Sequence, residues 1–202
     1  MKMDAKLIIL IIFGLFSAAG CASFKDKIQQ EFDVLNNPPT ITKDSVVLEV
    51  KFVPQPDVKL CGIAVVDMLA GYYSKPIGSI HRENMIRIAN EENGMTGVRL
   101  KEFFEGGNYF TAIFPGTLSR EVSGIYYHLD SRRPLVVMLG TKDKESFHYV
   151  VVNGYNPILR NLILLDPARG QYVVSEEYFL ERWQIANRFM LVAYPNNLRR
   201  AL

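Results

Sequence analysis

Gln55-Pro56-Asp57-Val58-Lys59-Leu60-Cys61-Gly62 leads from an extended stretch into an apolar run, and the break falls at the cysteine. Upstream, Val46 to Val53 has the β-branched character of a strand, which Pro54 ends. Downstream, Ala64, Val65, Met68, Leu69 and Tyr72 recur on helical spacing and predict a helix from Cys61 to Tyr73. Cys61 therefore stands at a helix N-terminus, where unpaired backbone N–H groups and the positive dipole end favour thiolate over thiol. A cysteine that only fills space more often lies mid-helix on the apolar face, so position marks Cys61 as a candidate nucleophile. Gln55, just upstream, has a side-chain amide able to donate to an oxyanion beside the Cys61 N–H.

Further along, helices are expected at His81 to Glu91, at Val98 to Glu105 behind Thr96 as cap, and at Ser119 to Asp130, with a strand at Tyr109 to Phe114. After Pro134 the chain turns strand-like: Leu135 to Leu139, Phe147 to Val152, Leu162 to Leu165 and Phe189 to Tyr194. One helix interrupts them, with Ser175 as N-cap and Glu176-Glu177 in its first turn. Helices in the first half and strands in the second predict an α+β fold, a helical layer on an antiparallel sheet.

Of three histidines, His81 and His128 lie among charged neighbours in expected helices and read as surface residues. His148 opens an otherwise apolar strand, where an imidazole needs a partner. Asp166 closes the next strand, and a hairpin centred on Pro157 would set it directly opposite His148, close enough to orient the ring. Nucleophile, base, orienter and oxyanion donor are then all present.

In this arrangement the chain resembles the papain-like cysteine peptidases that process double-glycine leader peptides of bacteriocins. The matching motifs are Gln55 with Cys61-Gly62-Ile63-Ala64, Tyr72-Tyr73, His148-Tyr149-Val150-Val151 and Asp166-Pro167-Ala168-Arg169-Gly170. The closing helix with Trp183 matches as well, so the likeness covers about Val50 to Tyr194. The resemblance implies a papain-like fold, Cys61 as nucleophile, His148 as base and then acid, Asp166 as orienter and Gln55 as oxyanion donor. It implies no cofactor, and a polypeptide substrate cut after a Gly-Gly pair. Leu60 and Gln184 depart from the family pattern, which has a polar residue before the cysteine and a small one after the tryptophan.

The first 20 residues read as an export signal: Lys2 and Lys6, an apolar run from Leu7 to Phe16, then Ala18-Ala19-Gly20 before Cys21. Small residues directly before a cysteine resemble a lipobox. The chain is thus expected as signal peptide 1–20, a lipidated tether 21–45 and a peptidase domain 46–202. A lipid on Cys21 would hold it in a bacterial envelope facing the periplasm, and Ala22 in place of aspartate points to the outer membrane. With Cys21 lipidated, Cys61 has no partner for a disulfide. Lys and Arg total 23 against 21 Asp and Glu, with no basic stripe, which argues against nucleic acid; Arg132-Arg133 and Arg199-Arg200 read as solvated surface. No glycine loop of phosphate-binding type occurs, so no nucleotide is expected. Two other readings fit the same residues: a non-catalytic lipoprotein binding an extended peptide, and acyl transfer to an amine.

Overall fold

The structure, a computed structural model, describes residues 42–141 and 146–201. They belong to one compact unit, Pro39–Leu202. The expected signal segment and Cys21 lie outside the described residues, as does most of the tether. Its last residues, Thr42 and Ser45, are held on the domain by the Asn156 side-chain amide, which donates to their hydroxyls at 2.8 and 3.0 Å.

Seven strands form one antiparallel sheet: β1 (Val46–Val47), β2 (Tyr109–Pro115), β3 (Leu135–Gly140), β4 (Phe147–Asn156), β5 (Asn161–Asp166), β6 (Gly170–Ser175) and β7 (Phe189–Pro195). Their order is β2-β7-β3-β4-β5-β6, with β1 paired to the far end of β4. Among the described residues, five α-helices accompany the sheet: α1 (Cys61–Tyr72), α2 (Ser79–Glu91), α3 (Gly97–Gly106), α4 (Ile125–Asp130) and α5 (Glu176–Ile185). The expected α+β architecture is present. α1 is buried on nearly every side, from Cys61 through Ala70, and packs on β4. That is the behaviour of a helix apolar all round. α5 packs on β3 and closes the core with Trp183, whose indole N–H donates to the Phe189 carbonyl at 2.8 Å.

Thr96 and Ser175 cap α3 and α5 as read, each hydroxyl accepting a backbone N–H three residues on at 3.2 Å. Several expectations need correction. The helix anticipated from Ser119 begins only at Ile125, because the hydroxyls of Thr117, Ser119 and Ser123 bond one another and hold 117–124 as a loop. The strand expected to reach Val53 pairs only over Val46–Val47 and leaves the sheet after Leu48, which still bonds to Asn153. β6 was not anticipated at all. His128 is buried rather than exposed, and Arg133 lies across the Tyr127 and Tyr194 rings, 5.2 and 5.9 Å from their centroids, rather than standing in solvent.

The β4–β5 pairing also differs from a plain hairpin. Asn156 opposes Asn161 and Gly154 opposes Ile163, but beyond them Val152 opposes Leu164 and Val151 opposes Leu165. Asn153 is the extra residue of a β-bulge. It is buried, its carbonyl takes the Leu48 N–H at 2.7 Å, and its side-chain amide donates to the Leu48 carbonyl at 3.1 Å. Beside it, Gly154 has no side chain because a Cβ would sit 2.6 Å from the Val46 carbonyl oxygen.

Candidate active site

Extended by one residue, the β4–β5 register puts Asp166 across from Val150, two places from His148, so the two are diagonal rather than directly opposed. They nevertheless share a face, and the bulge is the reason. In the register of the hairpin end, Asp166 would oppose Val151 and His148 would point to the other side of the sheet. One extra residue at Asn153 reverses that parity. His148 Nε2 lies 2.6 Å from Asp166 Oδ1.

The turn after β5 holds the carboxylate in place. Asp166 Oδ1 also accepts the Ala168 N–H at 2.8 Å, and Arg169 N–H donates to the Asp166 carbonyl at 3.0 Å. Gly170 closes the turn at φ +92°, a conformation that a side chain would oppose. The Gln55 N–H donates to the Pro167 carbonyl at 3.0 Å, which ties the segment before α1 to this same turn. Gln55, His148 and Asp166 line a single cleft of about 290 Å³. The Gln55 Oε1 is enclosed and has no hydrogen-bond partner among the described residues.

Cys61 is the first residue of α1 and is 9% exposed. A single 3-10 turn, Val58–Leu60, delivers it, started by the Asp57 side chain accepting the Lys59 N–H. Leu60 turns inward and is buried, and it offers no side-chain cap to the helix. Burial alone pushes the Cys61 thiol up. Hydrogen bonding from His148 and from the backbone of Tyr149 and Gly62, with the charge on His148, overcomes this and leaves the thiol below its ordinary range.

Desolvation pulls in the opposite sense on His148, lowering it, but the bonds to Asp166 and Cys61 win and raise it to about 9. Burial raises Asp166, yet its bond and attraction to His148, the Ala168 N–H and the nearby Arg169 hold it below the ordinary carboxylate range. An ionised Asp166 can only accept, so His148 Nε2 carries the proton and Nδ1 is the nitrogen left for Cys61. The arrangement favours a thiolate facing an imidazolium, with the carboxylate steadying the ring.

His128 lies on a separate helix. Its Nε2 meets the Val122 carbonyl at 2.9 Å, and burial, helped by Arg133, drops its pKa to about 4, so it stays neutral and structural. His81 is likewise occupied by the Phe103 carbonyl at 3.1 Å. Sequence reading missed the cleft-lining Tyr172, Tyr178 and Arg182. The alternation Gln171-Tyr172-Val173-Val174 signalled a strand, and with it a wall for the cleft.

A family model described as the Peptidase_C39 like family matches residues 47–189, a span that holds Gln55, Cys61, His148 and Asp166. The chain belongs to that family. Solved structures place the fold of this C39-like chain beside the peptidase domain of ComA from Streptococcus, a bi-functional ABC transporter involved in quorum sensing. The TM-score there is 0.59 at 21% identity, covering 73% of this chain and 100% of that one. A double glycine motif protease from an AMS/PCAT transporter, solved in complex with its leader peptide, matches at TM-score 0.57 and 17% identity. It covers 77% of this chain and 97% of that one. A C39-like peptidase from Bacillus anthracis matches at 0.54 and 15%, covering 76% and 99%. No curated protein matches the chain.

The coupled pair sets the pH behaviour of this C39-like domain. His148 is raised in the folded state, so its stabilising effect is complete below the unfolded value of 6.5 and is lost as pH climbs through about 9. Asp166 is lowered, so its effect is present above 3.8 and fades as pH falls through its folded value. Cys61 is lowered and acts with the opposite sign on the alkaline side, so the midpoint of thermal unfolding is expected to decline chiefly on the acid side. A midpoint flat from about pH 6 down to about pH 3 would contradict the pairing of Asp166 with His148.

Proposed function

We propose that this protein is a cysteine peptidase acting on a polypeptide. The observation supporting this is that a single arrangement holds a helix-start thiol, an imidazole with Nδ1 open to it, and a buried carboxylate on Nε2. The Cys61 thiolate attacks the scissile carbonyl carbon, and the carbonyl electrons move to oxygen. Gln55 and the Cys61 N–H hold that oxyanion. His148 Nδ1–H protonates the departing amine as the C–N bond breaks, leaving a thioester. The neutral imidazole then takes a proton from water, hydroxide adds to the thioester, and the thiolate leaves. The proposed cut after a Gly-Gly pair has its support in the double glycine motif protease, whose fold this chain shares.

The test is to incubate the protein with paired peptides that differ only in having or lacking Gly-Gly, and to weigh the products. Water added at the cut indicates hydrolysis, an amine added indicates acyl transfer, and uncut but bound peptide indicates a binding module. Gln55→Ala is expected to lower kcat roughly 10²–10³-fold with KM little changed, because an oxyanion donor acts in the transition state. An unchanged kcat would remove Gln55 from the mechanism.

The proposal extends to place: a lipid on Cys21 holds the domain on the periplasmic side of a bacterial envelope, in the outer membrane. The support is the signal-like segment ending in Ala18-Ala19-Gly20-Cys21. Cells fed labelled palmitate are expected to mark the wild-type chain and leave Cys21→Ala unmarked and released from membranes. Equal labelling of both would exclude this anchor.

A further inference from the structure

We propose that the cleft beside His148 contains a subsite for a carboxylate of the bound polypeptide, formed by Arg169 and Arg182. The inference rests on the reading of this cleft as a polypeptide site. Both arginines line the same cleft as Gln55 and His148, together with Tyr172 and Tyr178.

Five arginines elsewhere are spent on acids, while Arg133 lies over the Tyr127 and Tyr194 rings. Arg82, Arg87, Arg99, Arg120 and Arg160 each hold a carboxylate at 3.1 Å or closer. The two in the cleft are different. Arg169 Nε stops 4.0 Å from Asp166 Oδ2, and Arg182 lies 5.7 Å over the Tyr178 ring. Among the described residues, neither donates a hydrogen bond to an acid. Among the described residues, the one acid lining the cleft is Asp166, already engaged by His148 and the Ala168 N–H.

A guanidinium lying along an aromatic ring is partly ordered before anything binds, so less freedom is lost when it closes on a ligand. Its fork matches a carboxylate in two parallel hydrogen bonds. A cationic side chain in the same place would meet two like charges. The ligand chemistry is therefore a carboxylate, from an Asp or Glu side chain or from a peptide C-terminus.

The experiment uses a random peptide pool, prepared with free and with amidated C-termini. One portion is digested by the wild-type protein. Another is captured on immobilised Cys61→Ala protein, so that recognition is read without cleavage. Asp and Glu are expected to be enriched on the order of tenfold over Asn and Gln at one position, in both portions. Capture that depends on the free C-terminus and is lost on amidation would assign the ligand to the terminal carboxylate. Arg182→Gln is expected to abolish the preference, and Arg182→Glu to turn it toward Lys and Arg, a gain that a misfolded protein cannot show. Equal recovery of acids and amides from the capture portion, unchanged when the C-termini are amidated, overturns the subsite. Failure of cleavage alone, with enrichment on capture, overturns the peptidase reading and leaves the subsite standing.

Discussion

Cys61→Ala is expected to reduce peptide cleavage to background, a loss of at least about 10⁴-fold, because units of this type fail almost completely when the nucleophile is removed. Cys61→Ser is expected to do nearly as badly. The imidazolium is held protonated by Asp166, and that arrangement suits an acidic thiol far better than a hydroxyl. In wild type, Cys61 is expected to react with iodoacetamide near pH 6–7 at least tenfold faster than an ordinary thiol, which is only a few per cent ionised at neutrality. The rate is expected to change again as His148 loses its proton near 9. Both alanine and serine are small replacements at the first residue of α1, so the thermal midpoint is expected to stay close to wild type. Retained cleavage by folded Cys61→Ala protein would end the cysteine mechanism.

Asp166→Asn is expected to cost about 10²–10⁴-fold in kcat. An asparagine oxygen can still accept the Ala168 N–H, so the turn before β6 survives. What disappears is the buried negative charge that raises His148. Without it the imidazolium gives up its proton at lower pH, the thiolate loses its counter-charge, and Cys61 returns toward the behaviour of a buried thiol. A structural defect alone would lower the amount of active protein without moving its pH profile. The decisive readout is therefore alkylation rate against pH. For Asp166→Asn it should rise only toward the alkaline range of a free thiol; a profile matching wild type would show that the carboxylate does not govern the pair.

Much of this site was readable from residue order alone. A cysteine at the junction of extended and helical patterns, a histidine in an apolar strand and an aspartate before proline each conflict with their surroundings, and such conflicts mark function. The capping hydroxyls Thr96 and Ser175 were equally plain, because capping is local chemistry. What escaped was non-local. The bulge at Asn153 depends on Leu48, more than a hundred positions away in the chain, and no local pattern announces it. The burial of His128 depends on what the loop ahead of α4 folds over it. The helix expected from Ser119 was lost to hydroxyl groups that satisfy one another.

Since the facing of His148 is determined inside the sheet at Asn153, the exposed tip of that hairpin, residues 157–160, is uncoupled from the chemistry. Chain length there is a free variable: residues added between Ile158 and Leu159 lengthen the connection without rotating any side chain near the thiol. The same tip is therefore a natural site for a reporter or an affinity handle, and a place where relatives can differ in length yet keep the same reaction.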